Sequence, residues 1–266
     1  MECYTLFSGS SGNCIYLKEG KTEILIDAGG SMRQIEKALC SVSSSPQQIS
    51  GIFVTHEHGD HTKALPMLCK YFSIPLYIQR KVAKELYLSL LSHGGDSLAA
   101  AFARCVRTVN PGEEYEVGDF VVTPFRTPHD SVESQGFVIG DRLLGIATDL
   151  GHVSEEVRSY LIGCENVILE SNHDLDMLWD GPYPPYLKDR VASEHGHLNN
   201  VDCADFAKDL LQNGCRNYTL YHLSKENNTS ELALETTLSS LNNLGAKEGI
   251  DYSLRAALRC EVTKVL

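Results

Sequence analysis

The sequence predicts an α/β fold, an αββα four-layer sandwich formed by a single domain over residues 1–266. Two β-rich blocks each run into a helix-rich stretch, which is the order expected for two sheets covered by outer helices. The chain has 266 residues, of which 42% are hydrophobic, so it can bury a large core. The predicted strands also end in polar residues, and we therefore expect one rim of the fold to carry the chemistry.

The first block contains short strands rich in Ile, Leu, Val and Tyr, separated by turns of Gly and Ser. This pattern predicts strands at 3–7, 14–17, 21–26 and 52–55. Apolar residues that recur about every three or four positions predict helices at 34–39, 62–71 and 80–92.

The second block, residues 105–146, has Val-Val and Phe-Val pairs interrupted by Pro and Gly, which is typical of strands. Pro111-Gly112 marks a turn within it. Residues 201–213 have helical spacing, and Gly214 is expected to end that helix.

Composition limits the cellular setting. The nine cysteines are scattered and never form a Cys-x-x-Cys pair, which favours free thiols in a reducing compartment. The amino terminus has no basic region of the kind that begins a signal peptide, and no apolar run approaches the roughly 18 residues of a membrane span. We expect a cytoplasmic protein with no membrane association.

The segment Thr55–His61 holds four metal-ligand side chains within six residues: His56, His58, Asp60 and His61. It directly follows an apolar run, so a strand entering a tight turn would aim alternate imidazoles at one ion and the later pair at another. A single buried histidine is usually an ordinary core residue, but three histidines and an aspartate at this spacing are typical of a metal site. Nitrogen and carboxylate donors suit Zn²⁺ or Mn²⁺.

Further polar residues occur where other predicted strands end. Taken singly, each has an ordinary alternative: the aspartates as turn or cap residues, the histidines as surface loop residues. These residues are Asp27, His129, Asp149 and His222, and it is the family resemblance described next that implies one shared site for them.

With the His-x-His-x-Asp-His signature at 56–61, the chain resembles the metallo-β-lactamase superfamily. The resemblance implies that His56, His58 and His129 hold one ion and that Asp60, His61 and His222 hold the other. It further implies that Asp149 bridges the two ions and that Asp27 supports the metal loop. Two such cations lower the pKa of a shared water to about 7, so the resemblance implies a hydrolase that uses the resulting hydroxide.

Three further stretches are similar to the YycJ/WalJ group of bacterial nucleases related to ribonuclease Z. They are the Ser/Gly turn 8–13, the pair of segments 170–174 and 181–184, and the pair 196–198 and 222–228. One departure is Asn199, where serine is expected. The resemblance implies a metal-dependent phosphodiesterase, a 5′-to-3′ DNA exonuclease in which metal-bridged hydroxide attacks phosphorus.

Similarity to ribonuclease Z implies that Glu170 pairs with His197 and charges its imidazole, so that with Asp60 they form the catalytic group. His195 is the competing candidate for the phosphate-site histidine. The Ser/Gly turn offers N–H groups to an anion, although such turns are common without a ligand. The expected substrate contacts lie in this turn and in segments 170–174 and 222–228. They are Ser10, Ser11, Asn13, Asn172, His173, Ser224 and Asn228.

The charge balance opposes this expectation. The chain has 23 basic and 35 acidic side chains and a net charge of −12, whereas most nucleic-acid-binding proteins show a basic surface. Two divalent ions add four local positive charges, so we expect weak, salt-sensitive binding to nucleic-acid ends. A small-molecule hydrolase for a thioester, lactone or cyclic phosphodiester is the alternative. A non-catalytic binding protein is disfavoured because every proposed ligand is present, and a β-lactamase is disfavoured because no export signal is visible.

Overall fold

The structure is a computed structural model that describes all 266 residues. The chain divides into two compact units, one of residues 1–122, 131–133 and 258–266 and the other of residues 123–130 and 134–257. The single-domain organisation expected from the sequence stays a prediction. No helix is both long enough and apolar enough to cross a bilayer.

Fourteen strands and ten α-helices make up the chain. The strands are β1 (Glu2–Phe7), β2 (Cys14–Glu19), β3 (Thr22–Ile26), β4 (Ile49–Phe53), β5 (Leu76–Gln79), β6 (Val106–Val109), β7 (Tyr115–Val117), β8 (Phe120–Arg126), β9 (Gln135–Ile139), β10 (Leu144–Ala147), β11 (Asn166–Glu170), β12 (Asn217–Tyr221), β13 (Ser253–Ala256) and β14 (Thr263–Lys264). The helices are α1 (Met32–Ser41), α2 (Gly59–Thr62), α3 (Leu65–Phe72), α4 (Arg80–His93), α5 (Asp96–Cys105), α6 (Glu155–Leu161), α7 (Leu175–Asp180), α8 (Pro185–Val191), α9 (Asn200–Gln212) and α10 (Ser230–Asn242).

The first sheet has the order β14-β1-β2-β3-β4-β5-β6. Its first strands pair antiparallel, and β3 to β6 run parallel. Ile26 at the end of β3 is paired with Phe53 at the end of β4. The loops that begin at Asp27 and Val54 therefore leave the sheet at the same edge, because parallel strands have their carboxyl ends together.

Apolar side chains from this sheet pack with α1, α3 and α5 into one core, which includes Leu25, Ile52, Leu39, Leu68 and Phe102. Each of these five side chains is fully buried, so its transfer from water stabilises the fold by about 1.5–3 kcal/mol. This packing fixes the strands that carry the site loops.

The second sheet has the order β13-β12-β11-β10-β9-β8-β7. Strands β10 to β13 run parallel, with Ala147 paired to Leu169 and Glu170 paired to Tyr221. The chain segments after β10, β11 and β12 therefore begin at one edge. Residues of this sheet pack with α6, α9 and α10 in a second core that includes Leu169 and Phe206.

Most predicted elements are present, with ends that differ by one to three residues. The helix expected at 62–71 is wrong in one respect, because two helices, α2 and α3, occupy this stretch. The N–H of Ala64 donates to the carbonyl of Ala28 at 2.9 Å, and Pro66 lies in the first turn of α3, where proline needs no N–H partner. The strand expected at 52–55 ends at Phe53 because the N–H of Thr55 donates to a carboxylate oxygen of Asp27.

Candidate metal centre

Asp27 organises the metal-ligand loop of the first unit. Its carboxylate accepts hydrogen bonds from the Thr55 N–H and hydroxyl, both at 2.8 Å, and lies 2.7 Å from Nδ1 of His61. Burial raises the pKa of Asp27, and the nearby His61 and the bonds from Thr55 act in the opposite direction. With its Nδ1 bound to Asp27, His61 presents Nε2, which is the arrangement that orients metal-binding imidazoles in proteins.

Asn13, a predicted substrate contact, lies fully buried against this same loop. Its Nδ2 lies 2.9 Å from Nε2 of His61 and 3.2 Å from Oδ2 of Asp60. Its backbone N–H donates to the Asp60 carbonyl at 2.7 Å, and its Oδ1 accepts from the Gly9 N–H at 2.9 Å. Asn13 thus connects the Ser/Gly turn to two predicted metal ligands.

Gly29 permits this close approach. A Cβ at Gly29 would lie 1.6 Å from the Asp60 carbonyl oxygen and 2.7 Å from the Asn13 nitrogen, both backbone atoms. Only glycine fits there. A Cβ at Gly59, within the ligand segment itself, would have no atom within 4 Å. The position that requires glycine is therefore Gly29 in the supporting loop.

The imidazoles of the ligand segment are clustered. The ring centroids of His56 and His58 are 4.6 Å apart, and those of His56 and His61 are 4.2 Å apart. The Thr55 hydroxyl lies 3.0 Å from Nδ1 of His56, which directs Nε2 of that ring away from the strand. The first unit therefore offers nitrogen and carboxylate donors that are oriented by a second layer of hydrogen bonds, which fits a divalent cation.

In the second unit, His129 and Asp149 lie close together. Nε2 of His129 is 3.7 Å from Oδ1 of Asp149, and its Nδ1 is 3.0 Å from the Gly196 carbonyl oxygen. Burial lowers the pKa of His129, while Asp149 raises it. A neutral imidazole is the form that binds a metal ion.

Glu170 joins two histidines of this unit. Its Oε1 lies 2.7 Å from Nδ1 of His197 and 2.9 Å from Nδ1 of His222, and its Oε2 accepts from the Leu150 N–H at 2.8 Å. The contact expected between Glu170 and His197 is present. Ligand atoms of these three side chains and Asp149 all lie within 4.8 Å of one another, a spacing that allows metal binding.

Glu170 and His197 each favour the charged form of the other. Burial alone would raise the pKa of Glu170, but the charge of His197 and hydrogen bonds from His197 and His222 lower it. Burial would lower the pKa of His197, but the Glu170 carboxylate raises it. The pairing therefore favours the ionised carboxylate of Glu170 and the protonated imidazole of His197. His195 is exposed, and His197 is the histidine that contacts Glu170.

Three predicted site residues have left-handed backbones although none is glycine. The φ angles are 61° at Asp27, 54° at Asp149 and 57° at His222. Each residue follows closely on a parallel strand of its sheet. Such conformations cost free energy and concentrate at functional sites, and here they turn each polar side chain sharply as its strand ends.

An asparagine network holds the loop that carries His222. Nδ2 of Asn172 donates to the His222 carbonyl at 2.9 Å, and the Ser224 N–H donates to the Asn172 carbonyl at 2.7 Å. Nδ2 of Asn228 donates to the carbonyls of Ser171 and Asn172 at 2.9 and 3.0 Å. The amides of both asparagines are therefore engaged within the protein.

The remaining predicted contacts lie in different surroundings. Ser10 and Ser11 are exposed at the tip of a turn closed by the Gly12 N–H donating to the Gly9 carbonyl at 2.9 Å. His173 is 1% exposed, and neither of its ring nitrogens has a hydrogen-bond partner.

Asn199, where the resemblance predicts serine, accepts a hydrogen bond from the Asp202 N–H at 2.9 Å as the N-cap of α9. Asparagine and serine cap helices about equally well. The departure therefore preserves the capping of this helix.

Residues 22–219 match the family model described as the β-lactamase superfamily domain. The chain belongs to the metallo-β-lactamase superfamily. Sequence reasoning had reached this family through the signature at 56–61. It had not found the supporting roles of Gly29 and Asn13, although Gly29 stands beside Asp27 in a Gly-Gly pair that could have served as a signal.

Two bacterial members of the superfamily match nearly the whole chain. Exodeoxyribonuclease WalJ of Streptococcus pneumoniae is 32% identical over 94% of this chain and 91% of its own length. Exodeoxyribonuclease YycJ of Bacillus anthracis is 33% identical over 94% of this chain and 92% of its own length. The resemblance to the YycJ/WalJ group is confirmed.

Two solved structures show the same fold. The metallo-β-lactamase fold protein YhfI from Bacillus subtilis superposes with a TM-score of 0.68 at 15% identity, covering 99% of this chain and all of its own. The short form of human tRNase Z superposes with a TM-score of 0.66 at 18% identity, covering all of both chains. The α/β metallo-β-lactamase fold expected from the sequence is confirmed.

Proposed function

We propose that this chain is a dinuclear metal-dependent phosphodiesterase that shortens nucleic acid from its ends, as a 5′-to-3′ exonuclease of DNA. The observation that carries the proposal is the 2.7 Å contact between Glu170 and His197, in a group that also includes the predicted ligands Asp149 and His222. The names of the bacterial relatives, both exodeoxyribonucleases, support a DNA substrate.

The metal ligands are proposed in the grouping that the family resemblance implies. His56, His58 and His129 would hold one divalent ion, either Zn²⁺ or Mn²⁺. Asp60, His61 and His222 would hold the second, with Asp149 shared. When bound, the two ions would supply a water of lowered pKa and positive charge for the phosphorus centre.

The chain's own residues would then handle the proton and the phosphate. The Glu170 carboxylate raises the pKa of His197, and in its protonated form His197 would donate a hydrogen bond to a phosphate oxygen and a proton to the leaving oxygen. General acids of this kind contribute about two to four orders of magnitude in rate. Glu170 acts as a positioning residue, because its second oxygen is fixed by the N–H of Leu150.

Substrate contact is proposed for the exposed part of the Ser/Gly turn. The N–H groups of Ser10 and Ser11 take no part in the bond that closes the turn, so they are available to a phosphate oxygen. Asn13 is proposed to position the ligand Asp60, and Asn172 to position the loop of the ligand His222, with Asn228 and Ser224 holding that loop.

The acidic surface fits an enzyme that binds ends weakly. A net charge of −12 repels a polyanion at long range, whereas the ions attract it at the site. All nine cysteines are free thiols, which supports a reducing, cytoplasmic location.

The test is cleavage of 5′- and 3′-labelled oligonucleotides, single- and double-stranded, by Mn²⁺- and Zn²⁺-loaded protein. Bis-p-nitrophenyl phosphate and a thioester are run alongside, with His58→Ala as the control. We expect progressive shortening of the oligonucleotide from its 5′ end, lost in the variant. Intact oligonucleotides beside rapid turnover of a small ester would replace the nuclease with a small-molecule hydrolase.

A further inference from the structure

Glu57 stands in the ligand segment between His56 and His58, yet it is not among the proposed metal ligands. Its Oε1 accepts a hydrogen bond from the N–H of Val132 at 2.9 Å, across 75 positions of sequence. Its Oε2 is buried and has no hydrogen-bond partner. The side chain therefore holds residue 132 through a single oxygen.

Val132 lies in the loop 128–133, which also carries His129. The base of this loop is closed by Thr127 and Ser134. The Thr127 N–H donates to the Ser134 carbonyl at 3.2 Å, and the two hydroxyl oxygens are 2.7 Å apart. Val132 itself is 45% exposed, so its side chain packs only in part and polar contacts supply the rest of the hold on this loop.

A second polar contact of the loop is made by Glu133. Its carboxylate accepts a hydrogen bond from the Lys81 N–H at 3.3 Å and lies 3.1 Å from Nζ of Lys81. The Lys81 side chain is exposed, and exposed ion pairs hold weakly because water and salt screen them. Of these two contacts, only the one from Glu57 joins the loop to the ligand segment.

The covalent chain carries this restraint to His129. His129 is three positions before Val132, so their Cα atoms can be at most about 11 Å apart. Within the second unit, Nδ1 of His129 lies 3.0 Å from the Gly196 carbonyl oxygen, which orients the ring. Glu57 adds a restraint from the first unit, to which residues 131–133 also belong.

We propose that Glu57 is a positioning residue that holds the loop 128–133 at the ligand segment, so that His129 completes the ion site of His56 and His58. The inference rests on the proposed function, which groups these three histidines around one ion. Supporting hydrogen bonds around metal ligands typically change metal affinity by about 10- to 100-fold. The same loss is expected when the bond between Glu57 and Val132 is removed.

Substitutions at Glu57 separate the length of the side chain from its charge. Glu57→Gln keeps the length and an oxygen that accepts the Val132 N–H, whereas Glu57→Asp keeps the charge and is shorter by one methylene group. Glu57→Ala removes both. Because one oxygen makes the contact, we expect the glutamine variant to keep it and the aspartate and alanine variants to lose it.

Metal affinity is measured by titrating metal-free protein with Zn²⁺ in competition with a chromophoric chelator, with no nucleic acid present. We expect Glu57→Asp and Glu57→Ala to lower one of the two affinities by about 10- to 100-fold and to leave the other unchanged. Lys81→Ala is the matched control. It removes the exposed ion pair of the same loop, keeps the N–H at position 81, and should bind both ions as the unaltered protein does.

Hydrogen exchange of the Val132 amide tests the contact itself. Exchange should be slow in the unaltered protein, in Glu57→Gln and in Lys81→Ala, and fast in Glu57→Asp and Glu57→Ala, because only the last two lack an acceptor within reach. Circular dichroism verifies that each variant is folded. If Glu57→Ala does not fold, the comparison of the glutamine and aspartate variants decides.

Unaltered affinities in Glu57→Asp and Glu57→Ala would overturn the proposal. A weakened Glu57→Gln protein beside an unaltered Glu57→Asp protein would also overturn it, because the charge would then be what matters. These results are separate from the cleavage assay. A protein that cleaves oligonucleotides with unaltered affinities in the variants would lose the positioning role alone. Lowered affinity in the aspartate and alanine variants of a protein that cleaves no oligonucleotide would overturn the nuclease proposal alone.

Discussion

The amide nitrogen of Asn13 lies 2.9 Å from Nε2 of His61. Nδ1 of His61 lies 2.7 Å from the Asp27 carboxylate, so the Asn13 amide lies at Nε2, the ring nitrogen that would bind a metal ion. The relationship spans 48 positions of sequence. It makes Asn13 part of the support for the metal loop.

Replacing Asn13 with Ala should therefore weaken metal binding. The change removes the hydrogen bond from the Asn13 amide to the Asp60 carboxylate and the bond that Asn13 accepts from the Gly9 N–H, and loss of such hydrogen bonds around a ligand lowers metal affinity by about 10- to 100-fold. The affinity is measured by competition with a chromophoric chelator. Ser10→Ala is the matched control, because Ser10 is exposed in the same turn. Equal losses in the two variants would contradict the role given to Asn13.

Gly29→Ala should be strongly destabilising. The added methyl group would lie 1.6 Å from the Asp60 carbonyl oxygen, so the backbone of one loop must move. We expect the free energy of unfolding of the metal-free protein to fall by about 3 kcal/mol, at the high end of the cost of overpacking. Urea denaturation measures it.

The matched control for this change is Gly59→Ala, since nothing lies within 4 Å of the added methyl group. Its stability should stay within about 0.5 kcal/mol of the unaltered protein, as is usual for substitutions without a steric conflict. A Gly29→Ala protein as stable as Gly59→Ala would show that the two loops do not approach as described.

His173 should make stability depend on pH. Burial lowers the pKa of His173 to about 4, whereas an unfolded histidine titrates near 6.5. The unfolded chain binds more protons between these values. Stability from this residue is complete above about pH 6.5 and is lost as the pH falls toward 4, a change of roughly 3 kcal/mol.

The measurement is the free energy of unfolding of metal-free protein as a function of pH, compared with His173→Gln. Other groups titrate in both proteins, so the difference between the two curves isolates the histidine. The unaltered protein should lose stability more steeply on acidification. Parallel curves would mean that His173 keeps an ordinary pKa in the folded state.

The cap of α9 should tolerate serine. Asn199→Ser keeps an oxygen for the N–H of Asp202 and should leave the thermal midpoint almost unchanged. Asn199→Ala removes it and should cost about 1 kcal/mol. Calorimetry of both variants provides the comparison, and a serine variant as unstable as the alanine variant would assign the side chain a role other than capping.

The sequence was sufficient to predict the fold, and it also predicts a set of metal ligands for one reason. Ligands of this family stand at strand ends with characteristic neighbours, so His56, Asp149 and His222 can be recognised from local sequence. The pairing of Glu170 with His197 was also expected, although only from family resemblance.

The supporting residues could not be predicted in the same way. Asn13 and Asn172 have their roles through backbone and side-chain atoms that are 48 and 50 positions away. Both asparagines had been expected to contact substrate. A polar residue in a glycine-rich or loop segment looks the same in sequence whether it faces a ligand or another loop.

The central claim is that two divalent ions act together in phosphodiester cleavage. Its most direct test is a titration of metal-free protein with Mn²⁺, in which bound metal and oligonucleotide cleavage are measured in the same samples. We predict that the chain binds two ions and that cleavage rises with the second. Full cleavage with one bound ion, or with none, would contradict the claim.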